Sequence, residues 1–256
     1  FDGCTSLVSI GDLSNVESIA NEAFSNCSAL EHVDKLDKIT SIGQNAFKGC
    51  TALKSIGSLH NLETIGQGAF SGCSALEHVD DLYSLTRLEY DVFSHCVSLI
   101  SVDCSDKLTA IGSSAFFGCK ALVSIGDLSN VTSIESSVFR GCIALKSIGN
   151  MPKLESIGMQ CFMGCTALET VGDLSSLKEI PSETFDGCTS LVSIGDLSNV
   201  TIIGSYGFNQ CKKLTSIPNL GSLERVDQFA FSGCESLALL GNLRKLTSFG
   251  NSPFVN

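Results

Sequence analysis

The sequence contains no tryptophan, and only 4 prolines, 3 tyrosines and 3 methionines. Charged residues make up 17%, below the ordinary level of about 25%. A hydrophobic content of 43% still supplies a full core, so the pattern of an intrinsically disordered chain is excluded. No apolar run approaches the roughly 20 residues that a single membrane-spanning helix needs. Basic residues are outnumbered, 16 Lys and Arg against 27 Asp and Glu, giving a net charge of -11. That balance argues against nucleic acid, whose phosphates demand Lys and Arg, and against docking on anionic lipid. The motifs of catalysis are missing too. There is no Gly-rich phosphate loop, no H-E-x-x-H and no G-x-S-x-G, so an enzyme is not expected. No C-x-x-C or spaced Cys/His cluster marks a metal site, and no cofactor is expected. The chain opens on Phe1-Asp2-Gly3-Cys4 without an initiator Met or a signal peptide. It therefore reads as a piece of a longer protein that carries its targeting segments elsewhere.

What is abundant is periodic. Of 13 cysteines, eleven fall at one spacing of 23, from Cys4, Cys27 and Cys50 through to Cys234. Phe24, Phe47 and Phe70 begin a second column that runs to Phe254, and Leu7 begins a third that runs unbroken to Leu237. A period in the range 20–29 is the signature of a leucine-rich array. Counting each Cys as position 0, the unit reads C-x-x-L-x-x-[IV]-[GD]-x-L-x-x-[VIL]-x-x-I-G-x-x-A-F-x-G. Its apolar positions 3, 6, 9, 12 and 15 follow neither strict alternation nor a sustained 3.6-residue period. They fit a chain that coils around a core and points one side chain inward at each step. A unit this short cannot bury its own apolar face, and stacking identical units buries a continuous one. The repeated Cys reads as a reduced, buried ladder in which each thiol behaves as a small hydrophobe.

The unit resembles the BspA-like class of leucine-rich repeats, whose pattern ends A-F-x-x-C. Ala46-Phe47-Lys48-Gly49-Cys50 and Ala69-Phe70-Ser71-Gly72-Cys73 carry that ending. The resemblance covers all eleven repeats. It departs at positions 8 and 9, where the family has an aliphatic residue and Pro. Here position 8 is mostly Asp or Asn, as in Asp12, Asp127 and Asn150, and position 9 is mostly Leu, as in Leu13 and Leu36. The fifth repeat breaks this rule with Cys104 and Ser105, which predicts a local irregularity.

The expected fold is an α/β solenoid, a leucine-rich-repeat right-handed superhelix. Short parallel strands line one side, and short helical or 3₁₀ turns around the Ala-Phe segment line the other. Residues 1–256 are read as one array of eleven repeats. A strand is expected at positions 4 to 7, as in Val8-Ser9-Ile10-Gly11, with position 6 inward and 5 and 7 outward. Gly at position 16 (Gly43, Gly66, Gly112, Gly158) and position 22 (Gly49, Gly72, Gly118, Gly141) is expected to supply positive φ.

Function must then rest on variable positions. Tyr83, Arg87 and Tyr90 lie in one repeat and are the strongest candidate for a partner-binding patch, since aromatic and Arg side chains anchor interfaces. His32 and His78 stand on the outward strand face and are weaker candidates, read as solvated rather than metal-binding. Asn130-Val131-Thr132 and Asn199-Val200-Thr201 match the glycosylation pattern. Phe1–Val16 recurs residue for residue as Phe185–Val200, which points to duplication within the array. The resemblance implies a cell-surface or secreted adhesion or recognition module whose partner is a matrix protein, a cell-surface protein or a second copy of itself. The alternative is a structural spacer or scaffold in an intracellular or filamentous assembly. The first and last repeats look like internal ones, so end-to-end self-association is expected of the chain alone.

Overall fold

A computed structural model describes residues 1–255, which divide into two compact units, Phe1–Leu128 and a second beginning at Ser129. Each unit is a parallel-strand solenoid of the leucine-rich-repeat type. Most coils contribute two strands of about two residues, one at positions 5 and 6 and another at positions 14 and 15, and the first coil has a single bridge at Ser9 in place of the former.

In the first unit Ser9 bridges His32, His32–Val33 pairs with Ser55–Ile56, and Ser101–Cys104 lies between His78–Leu82 and Ser124–Ile125. Its second ladder pairs Ser18–Ile19, Ser41–Ile42 and Thr64–Ile65 in order, and Arg87–Leu88 with Ala110–Ile111. The second unit repeats this plan. Ser147–Ile148, Thr170–Val171 and Ser193–Ile194 form one ladder, and Glu179–Ile180, Ile202–Ile203, Arg225–Val226 and Ser248–Phe249 another. Apart from Leu82 with Cys104, these pairings are in register at 23 residues, so like stacks on like. The expected strand is thus shorter than positions 4 to 7, and the ladder at positions 14 and 15 was not foreseen.

The irregularity expected at Cys104 is present. Cys104 pairs with Leu82, and the register shifts between Val79 and Leu82 with Asp81 at φ 64°.

The Ala-Phe side corrects the expectation of helical or 3₁₀ turns. No helix occurs among the described residues, and so none is long and apolar enough to cross a membrane. The reason lies in the backbone. Among the described residues, positions 18 and 22 lie in the left-handed region, as at Glu22 (φ 57°) and Asn26 (φ 58°) or Gly68 (62°) and Gly72 (76°). Each such residue reverses the helical hand, so no right-handed turn propagates. The freed N–H groups reach the next coil instead. Glu22 N donates to Gln44 O at 2.8 Å, Phe24 N to Ala46 O at 2.8 Å and Asn26 N to Lys48 O at 2.6 Å. This segment is therefore a third inter-coil ladder, and it satisfies backbone donors that would otherwise be orphaned beside the core.

The glycine reading is half corrected. Position 22 does carry positive φ, as at Gly49 (71°) and Gly118 (70°). Position 16 does not. A Cβ on Gly43 would lie 2.5 Å from Asn21 N and 2.7 Å from Ala20 C, so glycine is required there by close approach of the neighbouring coil.

The core is the sum of the apolar columns. In the third coil Cys50, Leu53, Leu59, Leu62, Ile65, Ala69 and Phe70 are all essentially inaccessible. The Phe column forms a stack in each unit. Phe47 and Phe70 lie 5.2 Å apart with planes 6° apart, and Phe162 and Phe185 lie 5.3 Å and 3° apart. The Cys column does more than fill space. Each buried thiol reaches the carbonyl of the Phe in the preceding coil, as Cys50 Sγ to Phe24 O (3.0 Å), Cys96 Sγ to Phe70 O (3.1 Å) and Cys188 Sγ to Phe162 O (3.1 Å). That carbonyl already accepts a turn N–H, from Cys27 at 3.2 Å in the case of Phe24. The S–H thus fills the second lone pair of a buried oxygen, a task neither Ala nor Val can perform. Leu at position 9 is inward, with Leu36, Leu59 and Leu82 buried. The Asp before it caps the following turn, since Asp12, Asp173 and Asp196 each accept a backbone N–H two residues on at 2.8–2.9 Å.

Candidate functional site

With the inward columns committed to packing, what remains outward is a set of short ridges. Positions 5 and 14 are exposed or half-buried and on most strands precede a buried residue. Position 5 carries mostly Ser, with His32 and His78 in the first unit. Position 14 is more varied, with Arg87, Glu179 and Arg225.

The histidines do not converge. His32 Nδ1 shares a hydrogen bond with Ser55 Oγ at 2.8 Å, and His78 Nδ1 shares one with Ser101 Oγ at 3.0 Å. Each ring is engaged by the following coil. Beside His32, Lys54 Nζ donates to Glu31 Oε2 at 2.8 Å, which pulls the Glu31 carboxyl below its ordinary range. No group of three or more His, Cys, Asp and Glu side chains suited to a metal is found among the described residues.

Tyr83, Arg87 and Tyr90 are each at the surface, but they engage different neighbours. Tyr83 is 41% exposed and its hydroxyl donates to Asp103 Oδ2 at 2.7 Å. That carboxylate, with Asp81 and Asp80 behind it, pushes the phenol up to about 12. Arg87 lies on the second ladder with Nε 3.2 Å from Glu89 Oε1, and Arg225 repeats the arrangement on Asp227 at 3.0 Å in the second unit. Tyr90 is 50% exposed and stands on the turn segment beside Asp91, whose charge raises its phenol. It lines a groove with Gln44, Asn45, Lys48 and Gln67 of the two preceding coils. Sequence proximity thus grouped three residues that the fold spreads over a loop, a strand and a turn. What sequence reasoning missed is the acidic setting of Tyr83. Asp81 accepts from Ser58 Oγ at 2.6 Å and Asp103 from Tyr83. Asp81 stands two residues before Tyr83 in the same coil, and stacking of the next coil brings Asp103 to the hydroxyl.

Of the two glycosylation matches, Asn199 is exposed and Asn130 half-buried. Asn199 Nδ2 donates to Ser175 O at 2.8 Å, and Asn130 Oδ1 accepts from Lys153 Nζ at 2.6 Å.

The thiols are chemically quiet. Twelve of the 13 are buried and none is paired as a disulfide. Burial raises Cys50, Cys104, Cys119 and Cys165 to about 12 and Cys234 to about 11, leaving no thiolate to act as a nucleophile near neutrality.

The repeat geometry agrees with the family comparison. The family profile described as BspA type leucine rich repeat region (6 copies) matches residues 1–99, 58–169, 86–194 and 155–256. The chain belongs to the BspA-type leucine-rich-repeat family. The match is to a repeat scaffold and not to a catalytic family. A leucine-rich repeat protein of Bacteroides ovatus ATCC 8483 is similar, with 28% identity and a TM-score of 0.69 over 100% of this chain and 78% of that one. A leucine-rich repeat protein of Eubacterium ventriosum ATCC 27560 shares the fold, with 20% identity and a TM-score of 0.55 over 94% of this chain and 86% of that one. No curated protein sequence matches the chain. In this BspA-type array every strongly repeated residue is accounted for by stacking, and the side chains that vary from coil to coil are the outward ones.

Proposed function

We propose that this BspA-type array is a non-catalytic protein-binding module that works at a cell surface or as a secreted protein, in adhesion or recognition. One observation carries the reading. The repeated residues are consumed by the core, so what varies between coils is an exterior of short, backbone-braced ridges suited to meeting another protein. Tyr83 and Arg87 are its anchors in the first unit, because exposed aromatic and guanidinium groups contribute most where interfaces have hot spots. Residues 1–256 act as one array in this reading, and Asn199 and Asn130 are sites of glycan attachment. The test is capture of the purified array on immobilised extracellular-matrix proteins. Saturable binding that Tyr83→Ala with Arg87→Ala weakens by about tenfold or more supports the reading. The absence of saturable binding to any matrix protein, with the array recovered from a cytoskeletal fraction, overturns it in favour of a structural scaffold.

Self-association belongs to the same proposal. Phe1 is 70% exposed, and beside it Leu13, Val16, Ile19 and Phe24 line an apolar hollow of about 230 Å³. We expect the 256-residue chain alone to associate through such faces, and a monodisperse monomer in sedimentation would refute this.

A further inference from the structure

The turn segment of the second to fourth coils differs from the rest of the array. Three columns of outward side chains run along it, at positions 17, 18 and 21. The first column reads Gln44, Gln67, Tyr90 and the second Asn45, Gly68, Asp91, while Lys48 belongs to the third. Residue 68 is the one glycine in the second column, where the other coils carry a side chain. Its left-handed backbone (φ 62°) carries no side chain, and the Asn45 carboxamide lies over it, leaving Gly68 buried as the floor between Asn45 and Asp91. A Cβ there would lie 2.5 Å from Asn45 Oδ1. Neighbouring coils are spaced by about 4.8 Å, so skipping one side chain separates Asn45 from Asp91 by about 10 Å along the column. The result is a groove of about 190 Å³.

Its lining is unusual in being unspent. The side chains of Gln44, Asn45, Lys48 and Gln67 make no hydrogen bond or ion pair among the described residues. In the second unit the columns at positions 18 and 21 hold closed pairs. Gln160 donates to Glu183 at 2.8 Å and accepts from Arg140 at 2.9 Å, and Asn209 donates to Asp186 at 2.7 Å. Packing therefore does not demand free amides here. Each amide offers both donors and an acceptor, the complement of a hydroxyl group. Tyr90 adds an aromatic face for apolar C–H groups. Lys48 and Asp91 balance in charge, which favours an uncharged ligand. The volume lies below the roughly 300 Å³ of a drug-sized site.

We propose that this groove binds one neutral pyranose residue of a glycan, with Gln44, Asn45 and Gln67 hydrogen-bonding its hydroxyls and Tyr90 covering its apolar face. The inference does not rest on the protein-binding reading, whose anchors, Tyr83 and Arg87, do not line the groove. The probes are methyl glucoside, methyl galactoside, methyl mannoside and N-acetylglucosamine, each offered to the full 256-residue chain at about 10 mM, the regime of a weak, open site. Saturation-transfer NMR is expected to report binding of at least one sugar. Side-chain amide shifts should then be confined to Gln44, Asn45 and Gln67. Gly68→Asn fills the groove with a residue that tolerates positive φ, as Asn45 already does at its own position (φ 53°). It should weaken binding by about tenfold or more by displacing the Asn45 carboxamide, with inter-coil amide resonances showing that the array stays folded, and Tyr90→Ser should weaken binding too. Absence of saturation transfer from all four sugars overturns the proposal. So does undiminished binding to Gly68→Asn, or a shift pattern that maps elsewhere.

Discussion

The phenylalanine stack can be dissected by a double-mutant cycle in the second unit. Phe162 is fully buried and touches two rings, Phe139 at 5.2 Å and Phe185 at 5.3 Å. Phe162→Leu removes two ring contacts at about 0.5–1.5 kcal/mol each beyond area burial. The lost volume, about 20 Å³, adds about 0.5 kcal/mol at the cavity cost of about 24 cal/mol per Å³. The expected destabilisation is about 1.5–3.5 kcal/mol, and Phe185→Leu should cost the same, since Phe185 also stacks on Phe208 at 5.2 Å. The two substitutions share one contact. The double variant should therefore be about 0.5–1.5 kcal/mol less destabilised than the two single losses added together. Phe162 and Phe208 share none, so Phe162→Leu with Phe208→Leu should be additive within about 0.5 kcal/mol. Urea unfolding, supported by hydrogen exchange at the inter-coil amides of Phe162 and Phe185, reads both cycles. Equal coupling in the adjacent and the separated pair would refute the stack as an energetic unit and reduce the rings to filler.

Gly43→Ala should cost about 1–3 kcal/mol by overpacking against the Asn21 backbone, whereas Ser114→Gly should raise the melting temperature, because it relieves a left-handed residue (φ 58°) worth about 1–2 kcal/mol at a smaller entropic cost. A Gly43→Ala variant as stable as the parent would show that the coils can separate there. Alkali should unfold the first unit steeply. Its thiols Cys50, Cys104 and Cys119 are raised to about 12, and Cys73 and Cys96 are raised as well. The folded values lie above the unfolded value of 9.0, so this stability is complete below pH 9 and is lost as pH rises towards 12. Each thiol that the fold keeps protonated contributes about 1.4 kcal/mol per pH unit in that window, and Cys119→Ala should lower the slope of unfolding free energy against pH by one thiol's share. An unchanged slope would mean the thiols are hydrated in the fold. Finally, alkylation followed by peptide mass spectrometry should modify Cys4 rapidly and the twelve buried thiols only on unfolding, and fast labelling of Cys188 would contradict the stacked arrangement.

Much of this architecture was legible from spacing. The Cys, Leu and Phe columns are dominated by one requirement, burial at a fixed step of the coil, and a requirement repeated eleven times is hard to misread. The ladder at positions 14 and 15 was not legible: Ser18-Ile19, Ser41-Ile42 and Thr64-Ile65 alternate outward and inward, but two residues are too few for a strand to announce itself by period. The absence of helix was not legible. It depends on left-handed backbone at position 18, occupied by residues as unlike as Glu22, Ser114, Tyr206 and Phe229. No side-chain preference unites these residues, so the inter-coil hydrogen bonds impose the conformation. Gly43 misled for a related reason: glycine serves both positive φ and close approach, and only the neighbouring coil distinguishes them. The dispersal of Tyr83, Arg87 and Tyr90 was likewise invisible, because neighbours along the chain within one coil face different directions, while neighbours in space lie 23 residues away.

The duplicated segment shows how far this goes. Phe1–Val16 and Phe185–Val200 are the same sixteen residues. Cys4 is exposed, whereas Cys188 is buried and holds the Phe162 carbonyl. Phe185 stacks on both Phe162 and Phe208, whereas Phe1 stacks on Phe24 alone and keeps 70% of its surface in solvent. Identical local sequence therefore yields a buried thiol in one place and an exposed one in the other. What decides is the coil laid against it. In a solenoid the columns specify that stacking will happen, and the neighbours specify what it buries. The same logic locates function. A residue acquires a role here from what stands one or two repeats away, as Asp103 does for Tyr83 and Asn45 does for Gly68. A search for activity in this array should follow the columns of the repeat before it follows the chain.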